Sequence, residues 1–164
     1  MTYPTYTARQ NSNPSAAREW VLIANSARAR LFERDADNGA MRELAAFVQP
    51  SVRARGSALA DDRPGQAMKG AARTQFEPHT DPHEREQRRF AHELAHRLEE
   101  GALAHRMGAL MLIASDPFLG MLRAELGHGA RALPGRHAAR DLTALQGAEL
   151  EHRVTELLGT PIEG

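Results

Sequence analysis

Two short runs of consecutive apolar residues organise this chain. The first is Trp20–Ala24 and the second is Ala109–Ala114. Runs of this length between polar residues are typical of strands buried in a sheet. With the weaker strand and helix signals around them, the order is two or three strands followed by an alternation of helices and strands. That order predicts a single α/β domain with a mixed central sheet and helices packed on it.

A hairpin is predicted directly after the first run. Residues 27–34 alternate between apolar or small side chains and arginines, which is typical of a strand with one buried face. Asn38 and Gly39 follow, and this pair favours hairpin turns because both residues tolerate positive φ. A third strand is predicted at about residues 40–48, ending before Pro50.

The first helix is predicted from its cap and its apolar stripe. Asp81 is the expected N-cap, Pro82 occupies the first helical position and Glu84 lies in the first turn. Apolar residues then recur at helical spacing, at Phe90, Ala91, Leu94, Ala95, Leu98 and Ala102.

The remaining elements follow the second apolar run. Asp116 and Pro117 repeat the helix-start signal, with Asp116 as the expected N-cap and Gly127 as the end of the helix. Ser115 and Asp116 also lie where a buried strand meets a helix, a usual place for ligands in α/β sheets, although an ordinary N-cap accounts for them too. A last strand is predicted within residues 133–142, and a helix follows it.

The composition excludes several classes of site. The 164 residues include no cysteine, which excludes disulfides, thiolate metal sites and cysteine nucleophiles. Twenty-one basic and 21 acidic residues cancel, so no overall field attracts nucleic acid or membrane. No segment has the roughly 18 apolar residues of a membrane span, and the first 18 residues lack the apolar stretch of a signal peptide. We therefore expect a cytoplasmic protein without membrane association, and no cofactor is predicted.

Residues 49–80 form the longest segment without helix or strand periodicity. A loop of this length inside a compact domain is uncommon, and is usually either functional or disordered. We expect a flexible tail at 1–18, one domain at 19–158 that contains this loop, and a tail at 159–164. Basic residues outnumber the acidic Asp61, Asp62 and Glu77 within the loop; they are Arg53, Arg55, Arg63, Lys69 and Arg73.

A sequence typical of zinc peptidases lies in the first predicted helix. His92, Glu93 and His96 match the pattern in which two histidines one turn apart bind zinc and the glutamate activates water. Helical geometry turns both histidines roughly 130–170° away from the centre of the apolar stripe, onto a charged face. A solvated face with an ordinary His96–Glu100 pair is therefore the preferred interpretation, and a zinc hydrolase is kept as an alternative.

Several stretches, taken in order, resemble the bacterial host-attachment protein family, which is similar to the middle domain of archaeal and eukaryotic peptide-chain release factors. The stretches are WVLIANSARARLF (20–32), DRPG (62–65), EPHTDPHE (77–84), FAHEL (90–94), FLGMLR (118–123) and DLTAL (141–145). The resemblance spans about residues 19–158. It implies an α/β fold like that of the release-factor middle domain, and a working loop at 49–80.

The release-factor likeness further implies a cytoplasmic role at the ribosome. Gly65 and Gln66 match part of the Gly-Gly-Gln tripeptide with which release factors hydrolyse the peptidyl-tRNA ester, whereas Pro64 replaces its first glycine. We therefore expect ribosome or RNA binding through the loop and its basic residues, without strong catalysis. A peptidyl-tRNA esterase that uses Gln66 is the first alternative, and a direct interaction in surface attachment is another. The oligomeric state is left open.

Overall fold

The computed structural model describes residues 18–51 and 81–159. Nearly all of the predicted tails, and the predicted loop beyond residue 51, lie outside these ranges. The strands of the described part are β1 (Arg18–Ala24), β2 (Arg28–Asp35), β3 (Met41–Val48), β4 (Ala109–Ala114) and β5 (Gly135–Ala139). Its helices are α1 (Pro82–Leu103), α2 (Phe118–Glu125), α3 (His128–Ala132) and α4 (Gly147–Gly159).

The five strands form one mixed sheet in the order β3-β2-β1-β4-β5. The pairs β1–β2 and β2–β3 are antiparallel, and the pairs β1–β4 and β4–β5 are parallel. The predicted mixed α/β fold is therefore confirmed. Four of the strands run in one direction, and their carboxyl ends meet along one side of the sheet. We call this side the carboxyl edge; the strands reach it at Ala24, Val48, Ala114 and Ala139.

The sheet separates two apolar cores. Because successive side chains of a strand point to opposite faces, Trp20 and Leu22 face one core while Val21 and Ile23 face the other. On the first face the sheet packs against α1, α2 and α3, and on the second face it packs against α4. This double burial explains why the two apolar runs are continuous rather than alternating.

Helix α1 begins and packs as its sequence predicts. The Asp81 side chain accepts a hydrogen bond from the His83 N–H at 3.0 Å, and Pro82 is the first helical residue. All six residues of the predicted stripe are buried. The Phe90 ring stacks on Phe118 with the centroids 5.7 Å apart, near the carboxyl edge. Further along α1, Gly101 faces Trp20 at the opposite end of the sheet, so the helix runs away from the carboxyl edge.

The predicted hairpin forms, and its β2–β3 connection has five residues, 36–40. Within it Gly39 has positive φ, at 73°, and Asn38 accepts a hydrogen bond from the Ala40 N–H. The predicted N-cap of the helix after β4 is wrong. Pro117 rather than Asp116 is the N-cap of α2, so the Asp116 side chain makes no capping hydrogen bond. The Asp116–Pro117 peptide bond is cis.

The second half of the chain also differs in its boundaries. Helix α2 ends at Glu125, and Gly127 is the N-cap of the short helix α3, which the sequence pattern did not indicate. The last strand occupies only the middle of its predicted range. Among the described helices, none is long and apolar enough to cross a membrane.

The contact between α1 and β1 gives a test of the packing. A Cβ atom at Gly101 would lie 2.3 Å from Trp20 Cζ3, so Gly101→Ala must displace a buried indole. We expect the free energy of unfolding to fall by about 1–3 kcal/mol, the usual cost of overpacking. Urea denaturation measures the change.

Gly120→Ala is the matched control for that substitution. Nothing lies within 4 Å of a Cβ atom at Gly120, which is a helical position in α2. Alanine should raise the free energy of unfolding there by up to about 1 kcal/mol, because it restricts the unfolded chain. Equal effects of the two substitutions would contradict the proposed packing of α1 on β1.

Candidate functional site at the carboxyl edge

The carboxyl edge contains a point where neighbouring connections leave in opposite directions. The chain leaves β4 toward α2 on the first face, whereas it leaves β5 toward Leu142 and α4 on the second face. Open α/β sheets bind ligands in the crevice outside such a pair of strand ends. The residues that follow β1, β4 and β5 at this edge are therefore the candidate site.

Asn25 follows β1 and uses all of its hydrogen-bonding capacity within the protein. Its Oδ1 accepts hydrogen bonds from the N–H groups of Ala27 and Arg28, both at 2.9 Å. Its Nδ2 donates to Asp141 Oδ2 at 3.0 Å and to Thr143 Oγ1 at 3.1 Å. An asparagine side chain offers two donors and an acceptor oxygen with two lone pairs, so no position is left for a ligand. Asn25 therefore links the turn between β1 and β2 to the loop between β5 and α4.

Asp141 is the charged member of this cluster. Its Oδ1 accepts a hydrogen bond of 2.6 Å from the Thr143 hydroxyl and one of 3.0 Å from the Thr143 N–H, while its Oδ2 accepts the Asn25 amide. Partial burial acts to raise the pKa of Asp141. The hydrogen bonds from Thr143 and Asn25, with a smaller effect of the Arg28 charge, outweigh burial and hold that pKa below its usual value. The carboxylate is thus fixed in its ionised form.

The loop between β5 and α4 crosses the second face of the sheet. Leu142 lies in the second core, and the Leu145 carbonyl accepts a hydrogen bond from Arg30 Nη1 at 2.7 Å. The cluster of Asn25, Asp141 and Thr143 therefore holds this loop against β1 and β2. Its chemistry fits a fixed, charged support better than activation of a water molecule, because its donors and acceptors already pair with one another.

The predicted site residues of the long loop lie outside the described part of the chain. They are Arg53, Arg55, Arg63, Gly65, Gln66, Lys69 and Arg73. The described residues on either side of them lie toward the carboxyl edge. The Gln49 N–H donates to the Ala27 carbonyl at 2.9 Å, next to Asn25. On the other side, α1 begins at Pro82, two turns before the stacking of Phe90 on Phe118.

The two histidines of the zinc-peptidase pattern are exposed, as helical geometry predicts. His92 Nδ1 lies 2.9 Å from Glu125 Oε2 on α2, and His96 Nε2 lies 3.4 Å from Glu100 Oε1 one turn further along α1. The two imidazoles thus engage different carboxylates. No group of three or more metal-ligating side chains occurs within residues 18–51 and 81–159.

The sequence pattern did not reveal the link between Asn25 and Asp141. These residues are separated by 116 positions, and neither lies in a motif whose spacing predicts contact. They do fall in two of the stretches that carry the family resemblance, at 20–32 and 141–145. Their presence in those two stretches was the available signal. The contact itself could be found only once the order and register of the strands were known.

Comparison with known protein families gives a match over most of the chain. A family model described as "Protein required for attachment to host cells" matches residues 20–154. The matched range begins in β1 and ends within α4, so it includes both sides of the carboxyl-edge cluster. No curated protein matches the chain at a significant level.

The ionised Asp141 gives a prediction about pH. Because its folded-state pKa is lowered, its contribution to stability is present above the pKa of an unfolded aspartate, about 3.9, and is lost as pH falls through the lower folded-state pKa. Asp141→Asn should lower the free energy of unfolding by about 1 kcal/mol near neutral pH, and by less below about pH 4. Urea denaturation across that pH range measures both values.

Asp116→Asn provides the control at the same edge. The Asp116 side chain is exposed and makes no hydrogen bond to another described residue. We expect this substitution to change the free energy of unfolding near neutral pH by less than Asp141→Asn does. An Asp141→Asn variant as stable as the original protein near neutral pH would show that the cluster does not stabilise the loop.

Proposed function

This chain belongs to the family of proteins required for attachment to host cells, and we propose that it acts in the cytoplasm by binding RNA phosphates, those of the ribosome included. The binding element is the basic segment between residues 52 and 80. Its role is contact rather than catalysis. An effect on attachment then follows indirectly, through the synthesis of other proteins.

One observation carries this proposal. The described residues on both sides of the segment lie toward the carboxyl edge: the Gln49 N–H donates to the Ala27 carbonyl there, and α1 begins two turns before Phe90, which stacks on Phe118 near that edge. This edge is where open α/β sheets bind their ligands. The chain therefore leaves and re-enters the described fold on the side that is best suited to binding, which supports a binding role for the segment.

The segment has a net positive charge, and exposed arginines lie around the edge together with carboxylates such as Asp116 and Asp141. The segment contains five basic and three acidic residues. Among the described residues, the exposed Arg28 begins β2 and the exposed Arg140 follows β5 at the same edge, and Arg85 and Arg89 lie on the first turns of α1. Arginine suits phosphate because its guanidinium donates two parallel hydrogen bonds. Local positive charge can thus supply binding although the whole chain is neutral.

The cluster behind the edge supports contact over catalysis. Asn25 has no free hydrogen-bonding position, and the Asp141 carboxylate accepts three internal hydrogen bonds. Such a cluster fixes the geometry of the edge without taking part in a reaction. The resemblance to release-factor middle domains supports the ribosome as the RNA-containing partner, and it assigns Gly65 and Gln66 to the contact.

Removal of the segment's positive charge tests the proposal. Replacing Arg53, Arg55, Arg63, Lys69 and Arg73 by glutamine should abolish co-sedimentation with bacterial ribosomes at moderate salt. Each lost phosphate contact should also reduce the salt dependence of RNA affinity by about 0.7 in the slope of log K against log salt, for single-stranded RNA. Filter binding to a labelled RNA at several salt concentrations measures that slope.

A second variant with the same change of charge is the control. It replaces five exposed arginines outside the segment, namely Arg18, Arg42, Arg106, Arg123 and Arg153. Because none of these belongs to the arginines at the carboxyl edge, the control should keep its affinity. If both variants lost RNA affinity equally, the interaction would depend on total charge alone, and a specific role of the segment would be refuted. Measuring peptidyl-tRNA hydrolysis by the original protein and by Gln66→Ala tests the esterase alternative.

A further inference from the structure

An apolar groove lies along the free side of β5. Its volume is about 310 Å³, and it opens on the first face of the sheet between β4, β5 and the connection through α2 and α3. Leu110 and Leu112 of β4 form its buried floor, and Leu126 and Leu133 form half-buried walls. The groove, hereafter the β5 groove, is thus suited to apolar side chains.

The outer edge of β5 offers unpaired backbone groups beside this groove. Within the described residues, β5 pairs only with β4. The Pro134 carbonyl accepts from the Leu110 N–H, and the Arg140 N–H donates to the Ala114 carbonyl, both at 3.0 Å. Because backbone groups alternate in direction along a strand, those of Gly135, His137 and Ala139 point away from β4. The Ala139 carbonyl accepts a hydrogen bond from Arg140 Nη1 at 2.9 Å, so the groups left for a partner are those of Gly135 and His137 and the Ala139 N–H. An extended chain can form hydrogen bonds with such an edge.

The charge around the β5 groove has one sign. Arg123 and Arg131 line it together with His137, and no carboxylate is among its lining residues. Arg136 contributes its backbone only, because its side chain points to the second face and donates to the Leu158 carbonyl. Arg131 is fixed in place, since its guanidinium donates to the carbonyls of Arg123, Ala124 and Leu126 at the end of α2, at 3.0, 3.0 and 2.8 Å. A ligand with negative charge therefore meets a prearranged cation beside an apolar floor.

The short helix α3 is also held in place. The Glu99 carboxylate accepts hydrogen bonds from the N–H groups of Gly129 and Ala130 at 2.9 and 2.8 Å. These hydrogen bonds, led by that from Ala130, lower the pKa of Glu99 and keep it ionised. Since Ala130 and Arg131 line the groove, the Glu99 contact fixes one of its walls.

We propose that the β5 groove binds an extended acidic segment of a partner protein, which adds to the sheet as a sixth strand next to β5. Alternate side chains of that segment enter the groove, where leucine-like residues contact the floor and aspartate or glutamate meets Arg123 and Arg131. The backbone supplies affinity and the groove supplies selectivity.

The same features argue for a peptide over RNA. No Phe, Tyr or Trp side chain lines the β5 groove, whereas proteins that bind single-stranded RNA stack bases on such rings. A second groove, beside β3, is lined by Glu33 and Glu100 as well as by arginines, so it lacks the single sign of charge. The β5 groove borders the beginnings of β4 and β5, away from the carboxyl edge, and the proposal is independent of RNA binding by residues 52–80.

A defined peptide tests the proposal on the full chain. The probe is a labelled heptapeptide with leucine, aspartate and leucine at its second, fourth and sixth positions and threonine at the other positions. Its binding is measured by fluorescence anisotropy. Arg123→Glu should weaken binding about tenfold, because it reverses a charge that faces the ligand. Arg106→Glu, an equal change of charge in the groove beside β3, should leave binding within about twofold.

Backbone methylation separates strand addition from simple charge attraction. Methylating one alternate set of peptide nitrogens blocks the hydrogen bonds to β5, and methylating the other set affects nitrogens that point to solvent. We expect one methylated peptide to bind at least about tenfold more weakly than the other, in line with the loss of more than one hydrogen bond. Equal binding of the two would overturn the proposal.

Other occupants of the groove give distinct results. Binding of the peptide only after deletion of residues 160–164 would overturn the proposal, because this chain's own end would then fill the groove. If the chain dimerises and peptide binding is lost at the protein concentrations where it does so, the edge of β5 binds a second copy of this chain. That result would also overturn the proposal. Competition by single-stranded RNA, lost in Arg123→Glu, would assign the groove to nucleic acid instead.

Discussion

The burial of β1 on both faces is the constraint on which the rest of the structure depends. Val21, Ile23 and Ala24 have no exposed surface, and Leu22 is 1% exposed. A strand in this position cannot face water on either side, so helices must cover it from both directions. That requirement places α1 on the first face and α4 on the second. It also sends the connections after β4 and β5 to opposite faces, which creates the crevice at the carboxyl edge.

Much of the fold could be predicted because its local signals agree with its global packing. The stripe of α1 and the cap at Asp81 are local properties, and the burial of Leu94 and Leu98 follows from them directly. Predictions failed where geometry outside the local sequence decides the outcome. The sequence Asp116–Pro117 is typical of an N-cap followed by the first helical residue, but the backbone at the end of β4 makes Pro117 the N-cap. Helix α3 has five residues and a long-range cap from Glu99, so its own sequence carries little signal.

The candidate site could be predicted only in part. The apolar runs and the order of elements indicated where the buried strands end, and helical periodicity correctly predicted that His92 and His96 face solvent. The tie between Asn25 and Asp141 was not predictable, because hydrogen bonds between distant residues depend on strand order and register. The β5 groove was also absent from the sequence pattern. It results from the way Leu126 and Leu133 border the same strand from different connections.

The position of both neighbours of residues 52–80 on one side of the sheet has an evolutionary consequence. The two apolar cores described above are built from residues 18–51 and 81–159, and the segment joins Ser51 to Asp81. The cost of closing a loop rises only slowly with its length. Selection can therefore change the sequence and the length of the segment while the sheet and its helices stay the same. Relatives of this protein should diverge in target more readily than in architecture.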